Sequence, residues 1–140
     1  MTGANREANA EAELRRADEA LRAAETLAHA ALYDDATSRA YYVAFHAGNA
    51  ILVRLGQQAR SHRGVESLLQ QHAVSAGLLA PEDLGRLARL QQRRSTADYS
   101  VGEHIPADAM AGILDDARTF LAAARRILAA QAPAGGGEPR

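Results

Sequence analysis

The stretch that follows Pro106 has the most regular apolar pattern in the chain, because its hydrophobic side chains recur every three or four residues. They are Met110, Ile113, Leu114, Ala117, Leu121, Ala124 and Leu128. This spacing places all of them on one face of an α-helix, and that face must be covered by other elements. No segment of the chain alternates apolar and polar residues as a half-buried strand would. The sequence therefore predicts an all-α fold.

Four further helices are predicted upstream from the same periodicity and from residues that favour helix ends. Their expected ranges are residues 6–31, 34–55, 61–77 and 81–100. Gly56 and Gly77 follow the second and third helices, and Pro81 suits the first turn of the fourth. Long helices with short connections predict an up-and-down antiparallel bundle of four or five helices over residues 6–130. The Gly- and Pro-rich residues 131–140 are expected to form a disordered tail.

Composition excludes several kinds of function. The chain contains no cysteine, so it has neither a disulfide framework nor a thiolate metal site. It also lacks the usual zinc, phosphate-loop and dinucleotide motifs, and we predict no bound metal and no cofactor. The first residues are polar and acidic, unlike a signal peptide, and no apolar run approaches the roughly 18 residues of a membrane span. We therefore expect a cytoplasmic protein without membrane contact.

Residues 39–47, RAYYVAFHA, hold three of the six aromatic residues in the chain. On a helix, Tyr41 and Phe45 share one face beside alanines, where they would fill core space. Arg39, Tyr42 and His46 lie on a separate polar line of the same helix. In a structural interpretation, Tyr42 and His46 lie at the edge of the core, each with a hydrogen-bond partner. In a functional interpretation, the three polar residues line a groove that binds a phosphate or a base.

The fourth predicted helix carries charged residues on two sides. Its outer side is expected to be a solvated stripe made of Arg86, Arg89 and Arg93. Arg94 and Asp98 fall on the inner side, four residues apart, with Tyr99 beside them. An inward-facing arginine needs a partner, because burying an unpaired charge is costly. Either Asp98 is that partner and the pair fixes helix packing, or Arg94 binds a phosphate at an interface with a second copy of the chain.

Three segments in series carry a family resemblance. They are residues 39–47, the SHRGV stretch of residues 61–65, and the RSTADY stretch of residues 94–99. In this order and spacing they resemble the HEPN domains of the UPF0332 group. The resemblance implies a four- or five-helix bundle that is usually a homodimer and is often encoded beside a small nucleotidyltransferase, in pairs of the toxin–antitoxin type. Many such domains are metal-independent ribonucleases, and others are non-catalytic binding modules.

The resemblance also implies roles for the fourth helix. Ribonuclease members carry an arginine and, a few residues later, a histidine, whereas here Arg94 is followed by Asp98 and Tyr99 with no histidine. Arg94 is expected to hold a phosphate, and Tyr99 to stack, to hydrogen-bond or to accept a nucleotide from the partner. Asp98 is expected to orient the phosphate or to act as a weak base, because a carboxylate ionised at neutral pH is a poor proton donor.

The binding groove is predicted to include the polar line of the second helix and the start of the third. Its expected members are Arg39, Tyr42, His46, Ser61 and His62. Ser61 suits the N-cap of the third helix. His62, beside a helix N-terminus, is expected to be neutral and either to face solvent or to contact the second helix.

Two hypotheses about function remain open at this point. The first is a dimeric HEPN-type component of a nucleotidyltransferase-associated, toxin–antitoxin-like module, which binds RNA or nucleotide at the dimer interface. Metal-independent ribonuclease activity is a sub-hypothesis of the first. The alternative is a non-catalytic helical module that docks a partner protein. Under the first, Arg94→Ala would abolish activity with the fold intact, and under the second it would lower stability.

Overall fold

The computed structural model of the chain describes residues 2–130, and in that range it contains five α-helices and no strand. The helices are α1 (Gly3–His29), α2 (Tyr33–Arg54), α3 (His62–Leu69), α4 (Pro81–Tyr99) and α5 (Met110–Ala130). A π-helical turn at Gln70–Val74 continues α3, and a 3-10 turn at Ala107–Ala109 precedes α5. The all-α prediction is confirmed, while the predicted tail at residues 131–140 lies outside the described range. No helix within residues 2–130 is both long and apolar enough to cross a bilayer.

Contacts across α2 and α4 give the direction of the first three long helices. Residues 30–32 join α1 to α2, so α2 turns back and packs along α1. Arg94 of α4 donates a hydrogen bond to Tyr42 of α2. Asp98, one turn further along α4, accepts a hydrogen bond from Ser38, which lies one turn earlier on α2. Residue numbers therefore fall along α2 as they rise along α4, and these two helices are antiparallel.

Contacts between the first and last helices complete the bundle. Arg118 pairs with Glu25, and further along α5 Arg125 pairs with Asp18, which lies earlier on α1. Helices α1 and α5 are therefore antiparallel as well. The four long helices α1, α2, α4 and α5 alternate up and down, and the short α3 lies in the connection between α2 and α4. This is the up-and-down arrangement that the short connections predict.

Helix α2 lies at the centre and packs against the other four helices. Its fully buried alanines let neighbouring backbones approach closely, and they are Ala36, Ala40, Ala44, Ala47 and Ala50. Gly48 faces α3, where an added Cβ would lie 3.2 Å from side-chain atoms of both Val65 and Leu69. Tyr41 and Phe120 are the two largest fully buried side chains within the described residues. Bulky rings thus fill the space left by small residues, as close packing requires.

Asp34 fastens the connection between α4 and α5 to the first turn of α2. Its carboxylate accepts a hydrogen bond of 2.8 Å from the backbone N–H of Ile105, and its second oxygen lies 2.8 Å from Nδ1 of His104. These hydrogen bonds, chiefly the one from His104, hold the pKa of the Asp34 carboxyl below its usual range. The start of α2 is therefore held by these charge-assisted hydrogen bonds in addition to its packing in the bundle.

Candidate functional site

Arg94 of α4 lies at the centre of a cluster of tyrosines. Its guanidinium carbon is 5.1 Å from the ring centre of Tyr41, 5.4 Å from that of Tyr42 and 5.8 Å from that of Tyr99. Its Nη2 donates to the hydroxyls of Tyr42 and Tyr99, at 3.4 and 3.3 Å. Only 13% of the Arg94 side chain is exposed, because its position on α4 turns it inward, on the same side as the buried Leu87. Ring faces stabilise a cation in such a site.

Asp98 neutralises Arg94 but leaves one of its donors unused. Oδ2 of Asp98 lies 3.2 Å from Nε of Arg94, as the spacing of four residues predicts. The other carboxylate oxygen accepts a hydrogen bond from the Ser38 hydroxyl of α2. The Nε–H of Arg94 does not point at the carboxylate, and this buried nitrogen has no hydrogen-bond partner within residues 2–130. The contact with Asp98 is therefore an ion pair without the geometry of a directed hydrogen bond.

His62, in the first turn of α3, packs into the same cluster. Its ring stacks on Phe45 with centroids 4.4 Å apart, and its Nδ1 lies 2.7 Å from the Tyr41 hydroxyl. Of the two placements expected for His62, the structure shows the contact with the second helix. Burial lowers the pKa of His62, and the positive charge of Arg94 lowers it further, so the imidazole is neutral at pH 7. Burial raises the pKa of Tyr41, which keeps its proton.

His46 is held from the opposite side by α1. Its Nδ1 lies 2.8 Å from Oε1 of Glu13, and 17% of the His46 side chain is exposed. The rings of His46 and Tyr42 are 6.1 Å apart, and the guanidinium of Arg39 lies 5.3 Å from the Tyr42 ring centre. The predicted polar line of Arg39, Tyr42 and His46 is therefore half-buried and borders the cluster around Arg94.

Ser61 and Tyr99 occupy the margins of this arrangement. Oγ of Ser61 accepts a hydrogen bond of 3.0 Å from the backbone N–H of Gly64, which is the predicted N-cap and fixes the start of α3, where His62 lies. Tyr99 is 68% exposed, and Val101, just beyond the end of α4, is 99% exposed. The cluster around Arg94 therefore meets solvent on the side of Tyr99.

Two residues that organise the cluster, Glu13 and Ser38, were missed by the sequence analysis. Neither lies near its partner in the chain, so no local motif joins them. A signal for Glu13 was nevertheless present, because it lies three residues after Ala10 and four before Ala17, both fully buried. A carboxylate on a buried helix face needs a partner. The position of Glu13 on the helix therefore indicated that its carboxylate has a partner, but it did not indicate which residue that partner is.

The structure corrects the predicted arginine stripe on α4 at one position, Arg86, since Arg89 is 59% exposed as predicted. Arg86 is only 28% exposed, and it bonds Asp83 at 2.9 Å and reaches Asp116 of α5 at 3.6 Å. Arg89 donates twice to the same Asp116 carboxylate. These two arginines tie α4 to α5 and are not free for a ligand, whereas Arg93 is exposed as predicted. Asp116 lies opposite them because of the way in which α4 and α5 pack. The sequence pattern of α4 alone does not predict that packing.

The arrangement around Arg94 is chemically suited to an oxyanion with an attached ring. A mostly buried guanidinium and tyrosine hydroxyls can donate to phosphate oxygens, and the exposed ring of Tyr99 offers a stacking surface for a base. His46 and His62 are the nearby groups that can transfer protons near neutral pH. Within residues 2–130 no three His, Cys, Asp or Glu side chains are grouped so that they could hold a metal ion.

Comparison with known proteins gives consistent results. A protein-family model described as HEPN domain matches residues 10–132. The chain is 30% identical over 118 residues to a UPF0332 protein of Archaeoglobus fulgidus, which covers 84% of this chain and 94% of that protein. It is 39% identical over 84 residues to UPF0332 protein glr0978 of Gloeobacter violaceus, covering 60% of this chain and 67% of the relative. A relative from Methanocaldococcus jannaschii named "Putative toxin MJ0605" is 31% identical over 113 residues, 80% of this chain and 83% of the relative.

Proposed function

The chain belongs to the HEPN domain family, and from this premise we propose that it is the HEPN component of a toxin–antitoxin-type module and binds RNA or nucleotide through Arg94. The name of the relative MJ0605 supports the toxin part. The observation that carries the binding part is the state of Arg94, which is 13% exposed, is surrounded by tyrosines and has a buried Nε without a hydrogen-bond partner within residues 2–130. A phosphate oxygen on the side of Tyr99 would accept a charge-assisted hydrogen bond from Nη2 of Arg94, which now donates to tyrosine hydroxyls.

The neighbours of Arg94 fit the same ligand. Both carboxylate oxygens of Asp98 are engaged, one by Arg94 and one by Ser38, which suits a residue that positions the guanidinium. Tyr99, exposed at the margin, is placed to stack on a base. The polar line of Arg39, Tyr42 and His46 would continue this surface along α2.

Metal-independent ribonuclease activity is the finer part of the proposal. Cleavage of this kind needs a base for the 2′-hydroxyl and an acid for the leaving oxygen. Helix α4 lacks a histidine, but the rings of His62 and His46 lie 5.9 and 6.1 Å from the ring of Tyr42, which contacts Arg94. The neutral His62 would serve as the base, and His46, which faces the carboxylate of Glu13, is the second proton-transfer candidate.

A second copy of the chain and a nucleotidyltransferase are the partners that we propose. Tyr99 and Val101 leave apolar surface exposed beside Arg94, and a second copy that covered them would enclose the cluster. The Tyr99 hydroxyl lies 3.3 Å from Nη2 of Arg94 and would be the acceptor for a nucleotidyltransferase. In that reaction the phenolic oxygen attacks the α-phosphorus of a nucleoside triphosphate, pyrophosphate leaves, and the phenolic proton passes to solvent.

Arg94→Gln and Arg93→Gln form a matched pair of variants for testing this function. Each removes one positive charge from α4, but Arg93 is exposed and Arg94 lies in the cluster. Binding of a labelled single-stranded RNA would be measured by fluorescence anisotropy at two salt concentrations, and total RNA from cells induced to express each protein would be run on a gel. We expect Arg94→Gln to weaken binding by about tenfold or more, since hydrogen bonds to charged groups contribute about 1.5–3 kcal/mol.

The outcomes separate the parts of the proposal. Equal losses in both variants would mean that binding is unspecific attraction to polyanions. RNA binding without cleavage, and without growth arrest, would retain the binding function and remove the ribonuclease. If the folded wild-type protein bound no RNA and no nucleotide, the binding proposal would fail, and a non-catalytic module that docks a partner protein would replace it.

A further inference from the structure

A polar cavity of about 690 Å³ lies between the beginning of α1, the end of α2 and residues 56–59. Arg6 and Arg16 of α1, Asn49 of α2 and the following Gln57 contribute to its walls. Its volume falls within the roughly 300–1,000 Å³ that is typical of small-molecule sites. Arg94 and its tyrosine neighbours do not line it, so the cavity adjoins the candidate site at Glu13 without sharing its arginine.

The two arginines of this cavity have no carboxylate partner. Neither Arg6 nor Arg16 forms an ion pair within residues 2–130, whereas Arg118 and Arg125 of α5 each pair with an acid of α1. Nε of Arg6 is buried and has no hydrogen-bond partner among the described residues. Two arginines without a paired carboxylate within that range give the cavity a positive potential, which favours an anion. The only acid in the wall, Glu13, is already hydrogen-bonded to His46.

The turn after α2 fixes the place of Arg6. Gly56 has a φ of 79°, in the left-handed region that side chains rarely adopt. An added Cβ at this position would lie 3.1 Å from both Cζ and Nη2 of Arg6. Glycine is thus needed for the backbone of the turn, and the guanidinium of Arg6 lies close beside it in the cavity wall.

We propose that this cavity binds a small phosphorylated molecule of about nucleotide size, with its phosphate against Arg6 and Arg16. Guanidinium groups pair with phosphate oxygens through two parallel hydrogen bonds, which gives both affinity and orientation. The amide side chains of Asn49, Gln57 and Gln58 in the wall both donate and accept, as sugar hydroxyls and base edges require. The proposal does not depend on RNA binding at Arg94, since the two sites share no arginine.

Glu13 connects the cavity to the cluster around Arg94. Its carboxylate lines the cavity and also lies 2.8 Å from Nδ1 of His46, whose ring borders Tyr42. His46 engages only Oε1 of Glu13, so a ligand hydroxyl in the cavity can donate to the other carboxylate oxygen.

The test is calorimetric titration of the full chain with AMP, with adenosine and with inorganic phosphate. Arg6→Gln and Arg16→Gln remove the proposed phosphate contacts, and Arg15→Gln is the matched control, an exposed arginine of α1 outside the cavity wall. Circular dichroism would verify that each variant is folded. Because Arg16 is exposed, we expect Arg16→Gln to fold as the wild type does. All titrations are made in the Arg94→Gln background, which removes the nucleotide binding proposed at Arg94 and leaves the cavity wall intact.

We expect saturable binding of AMP and at least about tenfold weaker binding of adenosine, because the phosphate supplies the charge-assisted contacts. Arg6→Gln and Arg16→Gln, each combined with Arg94→Gln, should weaken AMP binding by about tenfold or more, while Arg15→Gln in the same background leaves it unchanged. Absence of binding by both AMP and phosphate in that background would overturn the proposal. So would an affinity that survives both cavity variants.

Discussion

The hydrogen bond between the Tyr41 hydroxyl and Nδ1 of His62 is the contact through which the start of α3 is held against α2, at a distance of 2.7 Å. Tyr41→Phe removes only the hydroxyl and leaves the ring that fills the core. Tyr41 is 2% exposed, so its hydroxyl has little access to water as an alternative partner. The variant therefore measures this bond with little change in packing.

The expected loss of stability follows from the burial of the two partners. A net intramolecular hydrogen bond contributes about 0.5–1.5 kcal/mol, and a buried partner left unsatisfied costs about 1–3 kcal/mol. His62 is half-buried and can recover part of its hydrogen bonding from water. We therefore expect Tyr41→Phe to lower the free energy of unfolding by about 1–2 kcal/mol. With an unfolding entropy of about 2 cal/mol/K per residue, this lowers Tm by roughly 5 °C.

Urea denaturation followed by circular dichroism is the assay, with Tyr33→Phe as the control. Tyr33 lies on the same helix and is half-buried, but its hydroxyl forms no side-chain hydrogen bond within residues 2–130. Tyr33→Phe should change the free energy of unfolding by less than about 0.5 kcal/mol. The reasoning would be refuted if Tyr41→Phe and Tyr33→Phe had equal effects, or if Tyr41→Phe in a His62→Asn background cost as much as it does alone.

The contact between Tyr41 and His62 also predicts that stability depends on pH, and the lowered pKa of His62 determines the sign of that dependence. Its folded-state pKa lies below its usual value of about 6.5. As pH falls through that value, the unfolded chain takes up a proton that the folded protein excludes, so stability declines until the folded-state pKa is reached. His62→Asn, which keeps a polar atom near the position of Nδ1, should flatten this part of the profile. An unchanged slope between wild type and variant would contradict the cause given for the lowered pKa.

Two further predictions concern the core and the α4–α5 connection. Phe120→Ala empties a fully buried position of α5, and urea denaturation should show a loss of about 3–5 kcal/mol, whereas a loss below about 1 kcal/mol would mean that the core collapses around the gap. Asp34→Asn should lower Tm at pH 7, because the carboxylate accepts from Ile105 and His104. Since the pKa of Asp34 is lowered by folding, the deficit should begin to shrink as pH falls below about 4, where the unfolded chain takes up the proton, and should be lost once pH is below the lowered folded-state pKa; a constant deficit would contradict the electrostatic explanation.

The helices were predictable because each depends on residues that are close in the chain. The apolar face of α5, the N-cap Ser61 and the inward turn of Arg94 toward Asp98 all follow from helical phase within one or two turns. The partners across helices follow from the rotation and register of packed helices, which depend on all the side chains at an interface together. Ser38 opposite Asp98 and Asp116 opposite Arg89 are of this kind. Their positions emerge only when the bundle is assembled.

This difference bears on how the missing histidine of α4 should be interpreted. A motif read along one helix asks whether the proton-transfer group lies a few residues after Arg94, and there Asp98 and Tyr99 are found instead. In the bundle, α2 and α3 bring His46 and His62 to the tyrosines that surround the same guanidinium. Catalysis depends on the positions of groups in space and not on which helix supplies them. Helix α4 therefore supplies no histidine, but the imidazoles of His46 and His62 still lie near Arg94. Proton transfer in the proposed ribonuclease reaction has to be tested at His62 as well as at Arg94.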